Sequence, residues 1–174
     1  MAQNLGGVAI ALSIFASLVL LGLERELAVQ ASGAAFIFIV GLVDDIVTLK
    51  PTTKLVAQIA AAAVLLFFDY RLNWVRSQTL DTLLTLVWVV GMTNAFNLLD
   101  NMDGLAASLA SIAFVFFAID AVTVHPNHSV LAFSLAGACA CGGFLPFNLR
   151  PGKKALVFMG DSGSQMLGFT LAAL

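Results

Sequence analysis

Apolar runs of about 17 to 20 residues recur from one end of this chain to the other, parted only by short polar connections. Hydrocarbon about 30 Å thick admits a backbone only if each polar group is paired within its own segment, and a helix of that length meets the condition. The mean hydropathy of +1.00, with 60% hydrophobic and 10% charged residues in 174, is far from a soluble domain, where about a quarter of residues are charged. The sequence therefore implies an all-α, polytopic membrane helical bundle, a single transmembrane domain over residues 1–174 with about six to seven membrane-spanning helices. A soluble all-helical core is the competing reading, and the recurrence of the runs argues against it.

Seven apolar segments are expected: about Gly6 to Leu23, Leu27 to Val43, Thr53 to Phe68, Thr79 to Leu99, Gly104 to Val124, Ser129 to Leu145, and one opening near Ser162. Brief connections make consecutive helices antiparallel neighbours, so the connections alternate between two sides. The first, third and fifth carry Arg25, Arg71 and Arg76, and the second, fourth and sixth carry Lys50, Lys54, Arg150, Lys153 and Lys154. The excess of Lys and Arg points to the second set as cytoplasmic. The net charge of −2 and the pI near 5.5 say little about partners, because most of the surface meets lipid, and nothing favours nucleic acid. Cys139 and Cys141, two apart in an apolar run, are expected to be small buried hydrophobes, neither a disulfide nor a metal pair. No basic stretch precedes the first apolar run, and no small-residue cleavage site follows it, so no signal peptide is expected.

The same alternation sorts the acids. Asp44, Asp45, Asp100, Asp103 and Asp161 fall on the cytoplasmic side, and Glu24, Glu26, Asp69, Asp81 and Asp120 on or near the other. Carboxylates crowded on one face repel unless a cation or proton compensates them, and a divalent metal is the natural cation. In NAFNLLDNMDGLA, Asn94, Asn97, Asp100 and Asp103 recur every third residue at the end of an apolar run, so a helix brings them round one side toward a common cavity. A polar helix contact followed by a turn is the plainer account of them. Asp44 and Asp45, in GLVDDIVTLKPTTK, can bind a hard cation, share a proton or act as a base. Solvated charges at a helix end are the alternative, although negative charge there opposes the helix dipole. Lys54, at the start of the next helix, is placed to meet a phosphate, and Lys50 equally suits a positive-inside lysine. FLPFN combines a proline that ends or kinks its helix with Asn148 just beyond it, and RPGKK after it can attract phosphates or anionic headgroups. In FMGDSGSQ, small residues flank Asp161 before the last run, admitting a metal and phosphate near a helix N-terminus; a helix N-cap is the structural alternative. His125 and His128, in HPNH, read as a polar loop on the far side.

Together the GG of Leu5-Gly6-Gly7-Val8, the VDD with Lys54, NAFNLLDNMDGLA, FLPFN and FMGDSGS resemble, in order, the polyprenyl-phosphate N-acetylhexosamine-1-phosphate transferase family. The resemblance implies transfer of a sugar 1-phosphate from a UDP-sugar to undecaprenyl phosphate, with release of UMP and with Mg²⁺, or Mn²⁺ in its place, as cofactor. It implies a multi-pass protein of the bacterial inner membrane with its active site on the cytoplasmic face, and it leaves a homodimer open. It makes Asp161 the metal ligand, Asp44 and Asp45 an essential pair with Asp44 the candidate base, and Asp100 and Asp103 a second pair near the nucleotide. Asn97 and Lys54 match polar contacts of the same pocket, Phe158 the aromatic on which uracil stacks, and Asn148 an amide near the base. Asn101-Met102 between the aspartates, and the length of the 148–158 loop, resemble the N-acetylglucosamine-type branch. The family has further N-terminal helices and a later histidine-rich loop, so the chain is expected to be truncated at both ends and, on one reading, inactive alone. A cation- or proton-coupled transporter is the rival class, and it calls for acids near the bilayer midplane and for internal repeats.

Overall fold

The computed structural model describes residues 5–22 and 25–174. Glu24, assigned above to the first connection, lies outside the described residues, as do the side chains of Arg25 and Glu26. Seven α-helices form among the described residues: α1 Gly6–Leu21, α2 Arg25–Val47, α3 Pro51–Phe67, α4 Gln78–Leu99, α5 Leu105–Thr123, α6 His128–Asn148 and α7 Gly160–Ala173.

Only four helices among the described residues, α2, α4, α5 and α6, are long and apolar enough to cross a membrane. This corrects the six to seven spans expected above. α1 has 16 residues and α3 has 17, so they reach only about 24 and 26 Å against about 30 Å of hydrocarbon. α7 is not a lipid-facing helix, for every residue from Ser162 to Leu171 is buried.

Six helices form a ring in chain order, closed by α6 against α1, and α7 runs through the middle against α1, α2, α4 and α5. Apolar residues such as Val19, Leu20, Phe67 and Phe116 point outward. The inward faces are thin. A Cβ on Gly7 would lie 2.5 Å from the Gly163 nitrogen, and one on Gly41 would lie 2.6 Å from the Ser162 Cα, so α1 and α2 meet α7 nearly backbone to backbone. The buried hydroxyls of Thr93 and Thr170 are satisfied within their own helices, on the Val89 carbonyl at 2.7 Å and the Met166 carbonyl at 2.8 Å. Both cysteines are free, Cys141 buried as expected and Cys139 exposed, contrary to that expectation because it lies on the outer side of α6.

The end opposite the aspartate motifs is closed by the 69–77 loop. Asp81, buried in the first turn of α4, accepts the Asn73 and Trp74 amides at 3.1 and 2.9 Å. Its carboxylate holds a turn in place there, at the end of the bundle opposite Asp44, Asp45, Asp100, Asp103 and Asp161.

Candidate active site

α2, α4 and α6 end, and α3, α5 and α7 begin, at one end of the bundle, and each delivers polar groups there. The start of α7 is the focus. Gly160 sits at φ +75°, a left-handed conformation that glycine adopts without penalty, and this turns the chain into the helix. The N-cap residue, Met159, offers no side-chain cap. Asp45 of α2 caps the helix instead: its Oδ1 accepts the Asp161 amide at 2.8 Å and its Oδ2 the Ser162 amide at 3.1 Å. The helix dipole that the sequence offered to a phosphate is therefore met by this carboxylate. Asp161 lies in the first turn rather than at the cap. On the other side, the α1 amides of Gly6 and Gly7 donate to the Phe158 and Met159 carbonyls at 3.0 and 2.9 Å, so the GG motif fixes the approach to α7.

Asp44 turns away from its neighbour. Its Oδ2 accepts from Lys54 Nζ at 2.8 Å, and the same Nζ donates to Asp161 Oδ2 at 2.8 Å. Proline at the first position of α3 starts that helix, and Lys54 follows on its first turn. One ammonium thus bridges two carboxylates from different helices. Burial works against the charge on Lys54, but Asp161 and Asp44 outweigh it and hold the ammonium above its ordinary pKa. At Asp161, burial works to retain the proton, yet hydrogen bonds involving Asp44, Lys54 and Asn97 leave the carboxyl below the usual range.

Three of the four polar groups of the α4 motif reach this cluster. Asn94 Nδ2 donates to Gln58 Oε1 at 2.6 Å, Asn97 Nδ2 donates to Ser164 Oγ at 3.1 Å, and Asp100 accepts the Gly160 amide. Burial, with the charges of Asp161, Asp45 and Asp103 around it, pushes Asp100 up to about 7 despite that amide. Asp103 stands exposed on the turn after α4. Asn148 is buried, with Oδ1 accepting the Gly104 amide and Nδ2 donating to the Val157 carbonyl at 2.9 Å, so it ties two loops together. Phe158 has an exposed ring. Lys153 and Lys154 are exposed on the loop beside it, with Arg150 half-buried.

Sequence reading missed Gln58 and Gln165. Both are almost fully buried, joined at 3.0 Å, and Gln165 Nε2 donates to Asp161 Oδ2 at 3.1 Å. Each stands four residues after a site residue, Lys54 and Asp161, and that spacing on one helix face was the available signal.

No group of three or more His, Cys, Asp or Glu converges into a metal cage among the described residues. The oxygen donors present fit Mg²⁺ in another way, since this ion binds through one or two carboxylates and takes its remaining ligands from water and phosphate. Asp161 and Asp44, paired through Lys54, are the carboxylates here that would hold such an ion.

The sequence profile of glycosyl transferase family 4 matches residues 27–174. The phospho-N-acetylmuramoyl-pentapeptide-transferase of Oceanobacillus iheyensis is 53% identical over 49 residues, which are 28% of this chain and 14% of that protein. Its namesake from Caldicellulosiruptor bescii is 48% identical over 48 residues, again 28% and 14%. The stretch shared with these relatives is thus a small part of their length. Their names do not support the N-acetylglucosamine branch read from Asn101-Met102, and the agreement holds at the level of the superfamily. With its profile match covering most of the helical ring and all of α7, the chain belongs to glycosyl transferase family 4, within the polyprenyl-phosphate sugar-1-phosphate transferase superfamily.

Proposed function

We propose that this chain carries the reaction core of a transferase that moves a sugar 1-phosphate from a UDP-linked amino sugar to undecaprenyl phosphate. The observation that carries the reading is the Lys54 ammonium held at 2.8 Å from both Asp44 and Asp161, beside Asp45 and Asp100 at one end of a membrane bundle. A phosphate oxygen of the lipid attacks the phosphorus that bears the sugar. The bond to the α-phosphate breaks, UMP leaves, and a lipid diphosphate sugar remains. Two anions must meet for this, so the site needs fixed positive charge and a proton acceptor.

Lys54 supplies the charge, near the approaching phosphates. Asp44 accepts any proton left on the lipid phosphate and later releases it to water. Asp161, helped by Asp44, is the holder of Mg²⁺, which when bound supplies further charge neutralisation at the diphosphate. Asp45 keeps the first turn of α7 in place, Asp100 and Asp103 face the nucleotide side with Asn97, and the exposed Phe158 ring stacks on uracil. Asn148 shapes that side by holding the 149–157 loop, and Lys153 and Lys154 draw anionic groups to it.

The excess of Lys and Arg at this end supports a cytoplasmic site in a bacterial plasma membrane. For the donor, Asn101-Met102 favours UDP-N-acetylglucosamine, while the names of the two relatives favour the muramoyl-pentapeptide nucleotide.

The test is Mg²⁺-dependent UMP release by the purified chain in detergent, with undecaprenyl phosphate and each donor in turn, run beside Asp161→Asn. Release from one donor that disappears in the variant supports the reading and chooses the sugar. Release unaffected by Asp161→Asn, or cation flux in liposomes without UMP release, would overturn it.

A further inference from the structure

The amides beneath the ion pair form a chain with a direction. Long side chains link α3 to α7 at two rungs, Lys54 to Asp161 and, one helical turn deeper, Gln58 to Gln165. Gln165 Nε2 donates upward to Asp161 Oδ2 at 3.1 Å. A carboxylate only accepts, so Gln165 must present its NH₂ there, which leaves its Oε1 for Gln58. Gln58 must then donate, as it does at 3.0 Å, and its own Oε1 takes the Asn94 NH₂ at 2.6 Å. Asn94 Nδ2 is also held by the Val90 carbonyl at 2.8 Å. The carboxylate end fixes the orientation of Gln165 and, through it, of Gln58, while Gln58 and Asn94 pair in both directions, Gln58 Nε2 also donating to Asn94 Oδ1 at 3.5 Å. Gln58 is 2% exposed and Gln165 is 1% exposed, so water does not compete for these bonds.

Such a chain is expensive to bury unless complete, and a simple packing contact does not need it. We infer that Gln58 and Gln165 are positioning residues that hold the Asp161 carboxylate, through the Nε2 of Gln165, in the orientation that receives a divalent cation. The inference rests on the proposed role of Asp161. Partners of metal ligands typically change affinity by about 10 to 100-fold when lost.

The experiment is Mn²⁺ binding to the purified chain, followed by the EPR signal of free Mn²⁺, without substrate or turnover. Three variants are compared with the parent and with Asp161→Asn. In Gln58→Met with Gln165→Met, both buried amides leave together, so no orphan is created and the fold is retained. Binding should weaken about 10-fold with little change in melting temperature. In Asn94→Asp, at an exposed position, the new acceptor reverses the donor order and turns Gln165 Oε1 toward Asp161. Binding should weaken, although an added negative charge alone would tighten it. Asn94→Ala should have an effect below about 2-fold. Unchanged or tighter binding in Asn94→Asp, or unchanged binding in the folded double variant, overturns the inference. If Asp161→Asn itself leaves Mn²⁺ binding intact, the role of Asp161 fails, and that outcome is distinct because it does not involve the amides.

Discussion

Gly160 and Asp45 make the sharpest energetic prediction, because a single contact unites them. Alanine at 160 is forced to φ +75°, at a cost of roughly 1–2 kcal/mol for a residue with a Cβ. Its Cβ would also stand 2.8 Å from Asp45 Oδ2 and 2.9 Å from Oδ1, pushing the carboxylate off the two amides it caps. Loss of a helix cap of this kind is worth about 1–2 kcal/mol. Gly160→Ala should therefore destabilise by about 2–4 kcal/mol. Asp45→Ala should cost only the cap, about 1–2 kcal/mol. In the double variant the cap is lost once, not twice, so the total stays near about 2–4 kcal/mol and the coupling is about 1–2 kcal/mol. Reversible unfolding in mixed micelles, titrated with denaturing detergent at fixed lipid-to-protein ratio, gives all four corners of the cycle. Additivity within about 0.5 kcal/mol would show that Asp45 does not hold the turn at Gly160, and the account of how α7 is started would be wrong.

Three further outcomes follow from the same end of the bundle. Asp100 is held protonated up to about 7 in the folded state against 3.8 otherwise, so its contribution to stability is fully present below about pH 4 and lost as pH rises through 7; Asp100→Asn should flatten that loss in melting curves taken with EDTA, and an unchanged pH profile refutes the assignment. Lys54→Met leaves Asp44 and Asp161 facing each other without a cation, and UMP release by an active preparation should fall by about 100-fold or more, with residual activity above a tenth of the parent counting against the bridge. Asn148→Leu orphans the buried Gly104 amide and frees the Val157 carbonyl, at roughly 1–3 kcal/mol per orphaned group, and trypsin should cut faster at Lys153 and Lys154. An unaltered cutting rate there would mean that the loop is held by something other than Asn148.

Much of this site was legible because the residues that build it announce themselves in apolar surroundings. Asp44 with Asp45, Asp100 and Asp161 come from three separate connections, and the alternation of short loops was enough to bring them to one end. What each does locally was not legible. Adjacent Asp44 and Asp45 read as one pair, yet a 100° turn per residue sends one to Lys54 and the other to the α7 amides. Asn148 read as an amide near a base and is occupied by two loop backbones, which only the return path of the 149–157 loop could reveal.

The count of membrane spans failed for a reason that also explains why Gln58 and Gln165 were missed. Hydropathy summed over a window reports how apolar a helix is, not whether lipid or protein surrounds it. α7 passes as an apolar run, but its small and polar residues, Ser162, Gly163, Ser164, Gln165, Gly168 and Thr170, are spread round the helix instead of forming one stripe. A helix with any lipid face would have to place some of these against hydrocarbon, where a buried amide such as Gln165 has no partner. Their spread is tolerable only if protein encloses the helix on all sides, and Gly168 against Thr93 and Gly163 against Gly7 are the points of enclosure. The physical signature of the central helix is therefore a run in which close-packing residues replace a lipid face, and a long polar side chain in such a run needs a partner across the helix contact. For Gln165 that partner is Gln58, a residue that α3 exposes to nothing else in its layer but Asn94.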